Sequence, residues 1–388
     1  MNQKFDWKKF LLKSLSYLLV AVLASVLTLV LWGGRSTKLT ELEKIIDLKF
    51  IGEMNLEEVR DAAAEAMVDA LGDRWSYYIS AKDYAAYQES KDNAYVGIGV
   101  TIVGREDGTG FDIKEVTPGG SAQEGGILPG DILIEAEGKS AAELDINSVK
   151  DIIRGEVGTK VTVAVLRNGE KITFTLERRE VKVPVATGQM LPGNIGLVRI
   201  VNFNAGCSKE TIAAVEELRN QGATALIFDV RNNPGGYVNE MVKVLDHLLP
   251  EGILFRELNY LGNTGERYSD AACVELPMAV LVNGSSYSAA EFFAAALEEY
   301  DWATVVGEPT TGKGYYQNTI KLSDGSAVNL STGKYFTPKG INLTDVGGLK
   351  PKIEVKVDNQ TAALIYAQLL PVAEDPQIQA AVKYLQEN

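Results

Sequence analysis

Residues 278–300 read MAVLVNGSSYSAAEFFAAALEEY, and this stretch decides how the second half of the chain folds. The apolar run 278–282 predicts a buried strand, and the alanine-rich run 289–300 predicts a helix. Ser288 then lies at the carboxyl end of a strand, where open α/β sheets place their ligands. It also lies at a helix N-terminus, whose free N–H groups favour developing negative charge. Taken alone, such a serine usually only caps the helix.

The segments around this stretch repeat the same alternation. Residues 195–200 and 225–230 predict further strands, and residues 208–220 between them have apolar side chains at helical spacing. Strands that alternate with helices predict a crossover α/β architecture. The strand at 225–230 runs into the turn Asn232-Asn233-Pro234-Gly235-Gly236. The N–H groups of Gly235 and Gly236 are candidates for an oxyanion hole, together with the N–H of Ala289.

Histidine is almost absent from the chain, since His247 is the only one in 388 residues. His247 lies in a segment with a helical apolar pattern, so we expect it to have a packing or surface role. If the chain is a hydrolase, its mechanism therefore has to do without a catalytic histidine. Lys313 follows in a glycine-rich loop, with Gln317 four residues later. A lysine serves as general base when burial disfavours its charged form. Taken singly, each residue has an ordinary alternative explanation. Lys313 is then a solvated cation in a loop, and Gln317 is a polar residue in a strand.

An earlier block, residues 95–180, is rich in predicted strands and turns. It opens with Tyr95-Val96-Gly97-Ile98-Gly99-Val100, whose two glycines allow successive N–H groups to form a nest for an anion. The pattern SAQEGGILPGDIL at 121–133 follows, and over about ninety residues the block resembles a PDZ domain. The resemblance implies that residues 95–100 bind the C-terminal carboxylate of a peptide, which adds as a strand to the sheet edge. The alternative is a β-module that only spaces the chain.

The later motifs together resemble the carboxyl-terminal processing (tail-specific) proteases of peptidase family S41. In that family the nucleophilic serine stands three residues before a glutamate and twenty-five before the lysine. Ser288 meets both conditions with Glu291 and Lys313, whereas Ser285 and Ser286 meet neither. The resemblance implies a bacterial serine endopeptidase with a Ser288–Lys313 dyad, in which Gln317 orients the lysine. It also implies a crotonase- or ClpP-like α/β protease core.

The expected fold class is a multi-domain α+β protein with four parts. These are a cytoplasmic tail and transmembrane helix (1–36), a helical segment (37–91), a β-rich PDZ domain (92–182) and the protease domain (183–388). The apolar run at residues 15–32 follows Lys4, Lys8, Lys9 and Lys13. This pattern predicts a single membrane anchor with the catalytic part outside the cytoplasm. A cleaved signal peptide is the rival interpretation.

The expected partners are proteins with exposed C-terminal tails and the membrane. The net charge of −14 argues against nucleic acid as a ligand, and neither a metal nor a cofactor is implied. The helical N-terminal and C-terminal segments could support a homo-oligomer. Two other functions remain open: a catalytically silent PDZ scaffold tethered to the membrane, and a crotonase-like acyl-CoA enzyme. The PDZ-like block and the absence of adenine-site features disfavour the latter.

Overall fold

The computed structural model describes residues 7–32, 37–105 and 107–388; for the helical residues 7–12 and 27–32 it describes the backbone alone. The chain divides into two compact units, Met1–Met67 and Val68–Asn388. The predicted division into four domains stays a prediction. Among its described residues, the first unit contains the start of three helices: α1 (Trp7–Trp32), α2 (Lys38–Lys49) and α3 (Leu56–Asp69). The hydroxyl of Thr37 caps α2 by accepting the N–H of Thr40.

The predicted transmembrane segment falls within α1. In the ranges that the structure describes, however, no helix combines the length and the apolar character that crossing a membrane requires. The predicted anchor therefore has no support from the structure. Residues 1–6 and 33–36, which belong to the same predicted segment, lie outside the described residues.

The predicted helical segment 37–91 is interrupted by a strand. Strand β1 (Tyr77–Ile79) precedes helix α4 (Ala81–Asp92), which Ser80 caps by accepting the N–H of Asp83. β1 pairs antiparallel with β18 (Ala327–Phe336) from the far end of the sequence. A three-residue strand has too few side chains for a period of two to be recognised, so the helical pattern around it dominated the prediction.

The block predicted to resemble a PDZ domain forms its own core, which includes Ile113, Leu133 and Val163. Its main sheet has the order β3-β4-β5-β7-β8, with β6 paired to β5, and β2 pairs separately with β9. Strand β3 is an edge of the main sheet. The elements of this block are β2 (Ala94–Gly97), β3 (Val100–Gly104), β4 (Phe111–Val116), α5 (Ser121–Gly125), β5 (Ile132–Ala136), β6 (Lys139–Ser140), α6 (Ile146–Ile153), β7 (Lys160–Arg167), β8 (Glu170–Glu177) and β9 (Arg179–Lys182).

The remaining residues build the α/β architecture that the alternating pattern predicted. A six-stranded sheet has the order β10-β11-β12-β15-β16-β19, and every pair in it except β10–β11 is parallel. Its strands are β10 (Ala186–Leu191), β11 (Ile195–Ile200), β12 (Ala225–Asp229), β15 (Met278–Val282), β16 (Ala303–Gly307) and β19 (Ile353–Glu354). The helices are α7 (Cys207–Asn220), α8 (Val238–Leu248), α9 (Ala289–Glu299), α10 (Asn359–Tyr366) and α11 (Pro376–Glu387). β12, β15 and β16 are wholly buried, as parallel strands covered by helices require.

A second sheet of this region has the order β1-β18-β13-β14, and β17 also pairs with β18. Its further strands are β13 (Gly252–Asn259), β14 (Thr264–Ser269) and β17 (Tyr315–Lys321). Phe292 of helix α9 packs against this sheet: it lies edge-on to Phe255 and Tyr335, with ring centroids 5.5 and 5.7 Å apart. Phe293 of the same helix packs edge-on against Phe228 of β12, so α9 contacts both sheets.

Candidate active site

Ser288 lies between β15 and α9 as the N-cap of the helix. Its φ of 58° and ψ of −127° form a combination that residues other than glycine rarely adopt. The N–H of Ser288 donates to Glu291 Oε2 (2.9 Å), and the N–H of Tyr287 donates to the carbonyl of Asn233 (3.1 Å). Strained backbone of this kind persists only where neighbouring contacts hold it, and it is concentrated at functional sites.

The two neighbouring serines have different environments. Ser286 is fully buried, and its Oγ donates to the carbonyl of Val230 (2.7 Å) while accepting the N–H of Asn283 (3.0 Å). Its hydroxyl therefore has a structural role in joining two strand ends. Ser285 is exposed. Of the three serines, Ser288 alone lines the cavity that also contains Lys313.

Glu291 connects the serine turn to the lysine loop. Its carboxylate is fully buried and accepts the N–H groups of Ser288 (2.9 Å), Gly312 (2.6 Å) and Lys313 (2.8 Å). It also accepts the Thr310 hydroxyl at 2.5 Å. In the sequence, Glu291 indicated only the spacing of the serine motif. The structure shows that one carboxylate fixes the main chain on both sides of the predicted dyad.

The side chain of Lys313 lies against aromatic rings. Its Nζ is 4.4 Å from the centroid of Trp75 and 5.6 Å from that of Tyr287. Burial lowers the pKa of the ammonium group to about 8, and the positive charge of Lys91 acts in the same direction. Asp73 and Glu291 oppose this shift. The neutral amine, the form that accepts a proton, is therefore accessible near physiological pH.

The three predicted catalytic side chains share a cavity but are not yet hydrogen-bonded to one another. Within the described residues, Lys313 Nζ forms no hydrogen bond with Ser288 Oγ or with Gln317. The Gln317 amide instead donates to Ser331 Oγ (3.0 Å) and to the carbonyl of Tyr315 (3.2 Å). Catalytic hydrogen bonds are often long or absent without substrate and form in the complex.

The predicted oxyanion-hole donors differ in their availability. Gly235 lies directly against Ser288, since a Cβ on it would be 2.8 Å from Ser288 Cβ. Its N–H, however, donates to Asn233 Oδ1 (2.8 Å). The N–H groups of Gly236 and Ala289 have no acceptor within the described part of the chain. Gly236 and Ala289 are therefore the available pair, and Gly235 contributes close approach rather than a donor.

A cavity of about 580 Å³ contains Ser288, Lys313 and Gln317 together with both glycines of the 232–236 turn. One wall comes from residues 74–91, which the sequence analysis did not place in the site: Arg74, Trp75, Tyr77, Tyr84, Tyr87, Gln88, Ser90 and Lys91. The aromatic turn at 72–78 was visible in the sequence, but nothing local indicates that it meets a loop more than two hundred residues away.

A buried network of charged side chains lies at the start of the glycine turn at residues 232–236. Arg231 donates to Asp229 Oδ2 (2.7 Å) and pairs with Asp375 Oδ2 (2.8 Å), and all three side chains are buried. Burial alone raises the pKa of Asp229, but the charge and hydrogen bonds of Arg231 outweigh it, so that pKa lies below its usual range. Because Asp229 ends β12 and Asp375 caps α11, the network fixes the start of the turn to the C-terminal helix.

The loop predicted to bind a carboxylate lies outside this cavity. Residues Tyr95–Gly97 belong to β2, and Val100 begins the edge strand β3. The carbonyls of Ile98 and Gly99 accept N–H groups of Ala122 and Thr117, both at 2.9 Å. The N–H groups of Ile98 and Gly99 themselves have no acceptor among the described residues. With Gly99 at a φ of 82°, the loop offers free donors next to an open sheet edge.

Comparison with known proteins decides the family. The sequence model of peptidase family S41 matches residues 194–355, and that of the PDZ domain matches residues 113–167. The carboxy-terminal processing protease CtpA of Bacillus subtilis strain 168 is 30% identical over 359 residues, which cover 88% of this chain and 76% of that protein. The chain belongs to peptidase family S41. It is a serine protease with a PDZ domain.

One further relative agrees with membership of the S41 family, and one solved structure shares the fold. The carboxyl-terminal-processing protease of Synechocystis sp. strain PCC 6803 is 29% identical, over 83% of this chain and 76% of that protein. A solved structure assigned to the S41 proteases, from Bacteroides fragilis NCTC 9343, is 18% identical with a TM-score of 0.52. It covers 83% of this chain and 90% of that chain, and at this identity the likeness shows a shared fold. Membership supports hydrolase activity over the silent scaffold and the acyl-CoA enzyme that the sequence left open.

Proposed function

We propose that this S41 protease cleaves peptide bonds by acyl transfer, with Ser288 as nucleophile and Lys313 as general base. Neutral Lys313 Nζ takes the proton from Ser288 Oγ as that oxygen attacks the scissile carbonyl. The N–H groups of Gly236 and Ala289 stabilise the oxyanion. Lys313 then gives its proton to the leaving amine as the C–N bond breaks. A water molecule, deprotonated by the same lysine, attacks the acyl-enzyme, and Lys313 returns the proton to Ser288 Oγ as the ester bond breaks. The position of Lys313 against aromatic rings, in the same cavity as Ser288, is the observation that carries this proposal, and the lowered pKa of Lys313 agrees with it.

The mechanism requires one movement. Lys313 Nζ rests over the Trp75 ring, so it has to turn toward Ser288 Oγ before it can accept a proton. The main chain on both sides of the pair is already fixed by Glu291, so the movement is confined to the long lysine side chain. We propose that substrate entering the cavity displaces the ammonium group from the ring. In this arrangement Gln317 contacts the Lys313 side chain only after that side chain has rotated toward Ser288.

We propose that the PDZ domain selects substrates by their C-terminal tails. The N–H groups of Ile98 and Gly99 receive the terminal carboxylate, and the residues before it add as a strand along the edge strand β3. Protein substrates with exposed C-terminal tails follow from this mode of binding. Cleavage takes place in the separate cavity at Ser288, so the bound tail and the scissile bond are in different parts of the substrate.

The dyad is tested with single variants assayed on a quenched fluorescent peptide. Ser288→Ala and Lys313→Ala should each abolish hydrolysis, and the double variant should be no worse than either single one, because the two residues act as one unit. Ser285→Ala is the matched control, since Ser285 is exposed in the same turn, and it should keep wild-type kcat/KM. Hydrolysis by Ser288→Ala at the wild-type rate, with melting temperatures unchanged, would refute the assignment.

On the sequence alone, we also propose that residues 15–32 hold the chain at a membrane with the catalytic part outside the cytoplasm, and that the terminal helical segments support a homo-oligomer. Extraction of membranes with alkaline carbonate should leave the full chain in the pellet. Release into the supernatant would refute the anchor. Sedimentation of the purified chain should give a mass larger than one copy, and a monomer at all concentrations would refute the oligomer.

A further inference from the structure

The charge of the catalytic cavity contrasts with that of the chain. The chain has a formal net charge of −14, yet each charged side chain that the structure places in the cavity wall is basic: Arg74, Lys91 and Lys313. A cleft lined by one sign of charge concentrates ligands of the opposite sign. The cavity is therefore suited to an anionic group of the substrate.

Aromatic rings contact these three cations, and the charges of Asp73 and Glu291 act on Lys313 without forming an ion pair with it. Arg74 Cζ lies 4.0 Å from the centroid of Trp75, and Lys91 Nζ lies 5.5 Å from that of Tyr87. Over the described ranges, no aspartate or glutamate forms an ion pair with Arg74, Lys91 or Lys313. A ring face stabilises a cation without neutralising it. The positive charges of Arg74 and Lys91 thus remain available to an anion.

The structure holds Lys91 firmly in the cavity wall. The N–H of Ala205 donates to the carbonyl of Lys91 (3.1 Å), and the Asn204 amide donates to the carbonyl of Ser90 (3.0 Å). These bonds fix the C-terminal end of α4 against the loop after β11. Burial lowers the pKa of Lys91, which means that its charge is incompletely solvated. A carboxylate beside it would supply the missing counter-charge.

Asn204 gives a second, independent indication of a ligand. Its Oδ1 is buried and has no hydrogen-bond partner within the described residues, and the residue lines the same cavity. Buried acceptors in folded proteins are normally paired. A substrate main chain brings N–H donors of the kind this atom lacks.

We propose that Lys91 and Asn204 form a specificity subsite for a substrate residue that bears a carboxylate. The N–H of that residue donates to Asn204 Oδ1, and its carboxylate pairs with Lys91 Nζ. The carboxylate belongs either to an aspartate or glutamate near the scissile bond or to the free C-terminus of a short tail. The inference rests on the proposed function, because it requires the scissile bond to lie at Ser288.

Two kinds of pairs of internally quenched peptides test the subsite in the full chain. The first kind of pair has amidated C-termini, and its two members differ by glutamate or glutamine at one position flanking the scissile bond. Each flanking position is tested with its own pair. In the second pair the peptide carries no acidic residue, and its C-terminus is free or amidated. The measured quantity is the ratio of kcat/KM within each pair. A ratio cancels any loss of activity that both peptides share, including one caused by a changed pKa of Lys313.

The wild-type enzyme should prefer the carboxylate member of at least one pair by about tenfold. In the first pair Lys91→Met should reduce that ratio to about one. In the second pair it should do so in the Gly99→Ala background, where the PDZ loop no longer reads the carboxylate. Lys91→Arg should retain both ratios. Asn204→Ala should lower kcat/KM for both members equally. Lys334→Met is the matched control, since its ammonium lies 5.5 Å from the ring of Tyr315 but in a different groove. It should leave every ratio unchanged.

The outcomes separate the two sources of the carboxylate. A glutamate-over-glutamine ratio that falls in Lys91→Met identifies an acidic side chain, whereas a free-over-amidated ratio that falls identifies the chain end. Ratios that Lys91→Met leaves at their wild-type values in both pairs overturn the subsite. Failure of the dyad is distinguishable, because it shows as hydrolysis by Ser288→Ala.

Discussion

The catalytic turn at residues 283–291 and the loop at residues 95–100 of the PDZ domain are held in different ways. In the catalytic turn, the buried carboxylate of Glu291 accepts four donors and thereby fixes Ser288 and Lys313. In the loop, main-chain carbonyls are paired while the N–H groups of Ile98 and Gly99 have no acceptor in the part of the chain that the structure describes. Where the reactive group is a side chain, buried polar partners must position it. Where recognition uses the backbone, the conformation of a glycine is enough.

The largest effect is therefore expected at Glu291. Glu291→Ala leaves four donors, three of them main-chain N–H groups, without their acceptor, so we expect a loss of about 3 kcal/mol in the free energy of unfolding. Displacement of the serine turn from the lysine loop should also reduce kcat/KM on the order of a hundredfold or more. Urea denaturation and peptide hydrolysis measure the two effects.

The control for Glu291 is Glu299→Ala on the same helix. Glu299 accepts a single N–H, that of Lys339, at the surface, so its replacement should cost less than about 1 kcal/mol and leave kcat/KM unchanged. Equal effects of the two substitutions would contradict the special role of the buried carboxylate.

A smaller effect is expected at the loop. A substrate with a free C-terminus should be cleaved about ten- to a hundredfold better than its amidated form if the PDZ domain reads the carboxylate. Gly99→Ala should remove the part of this preference that the PDZ domain supplies, since Gly99 has a φ of 82° and a Cβ there would lie 3.2 Å from Thr117 Cβ. The ratio of kcat/KM for the two peptides is the measurement.

Gly108→Ala provides the control for that substitution. Gly108 also has a positive φ (68°), in the turn between β3 and β4, but a Cβ on it meets no atom within 4 Å. The substitution imposes similar backbone strain without touching the loop, so the preference should persist. Loss of the preference in Gly108→Ala as well would show that general destabilisation, not the loop, is responsible.

The smallest effect concerns the link between the PDZ domain and helix α4. Arg154 Nη1 lies 3.5 Å from Glu89 Oε2, and its guanidinium lies 5.1 Å from the ring of Tyr95. Both charged side chains are partly exposed, so Arg154→Gln should change the free energy of unfolding by less than about 1 kcal/mol. The preference for a free C-terminus should change by no more than about threefold. A larger change in the preference would assign this pair a role in communication between the two regions.

The sequence predicted the residues whose chemistry is encoded locally. Ser288 follows an apolar strand and precedes a helix, and the glycines of the 232–236 turn follow another strand, so a parallel sheet brings both to one edge. The place of Lys313 followed from the family resemblance and from the scarcity of histidine. These residues line one cavity.

The parts that the sequence did not predict depend on contacts between distant segments. The α4 wall of the cavity exists because β1 pairs with β18 across about 250 residues and so carries the next helix to the site. The helical pattern of 81–92 gives no indication of which face lines the cavity. The use of the Gly235 N–H by Asn233 likewise depends on the geometry of the folded turn.

The most direct test of the Ser288–Lys313 dyad is the pH dependence of labelling by a fluorophosphonate, with the adduct located by mass spectrometry. In the folded chain the pKa of Lys313 is lowered from 10.5 to about 8, so the neutral base accumulates as pH rises through 8. The account predicts an adduct on Ser288 whose rate of formation rises through an ionisation near 8, with His247→Asn unchanged and Lys313→Met unreactive. An adduct on Ser285 or Ser286, or a Ser288 rate that does not change between pH 6 and 10, would contradict it.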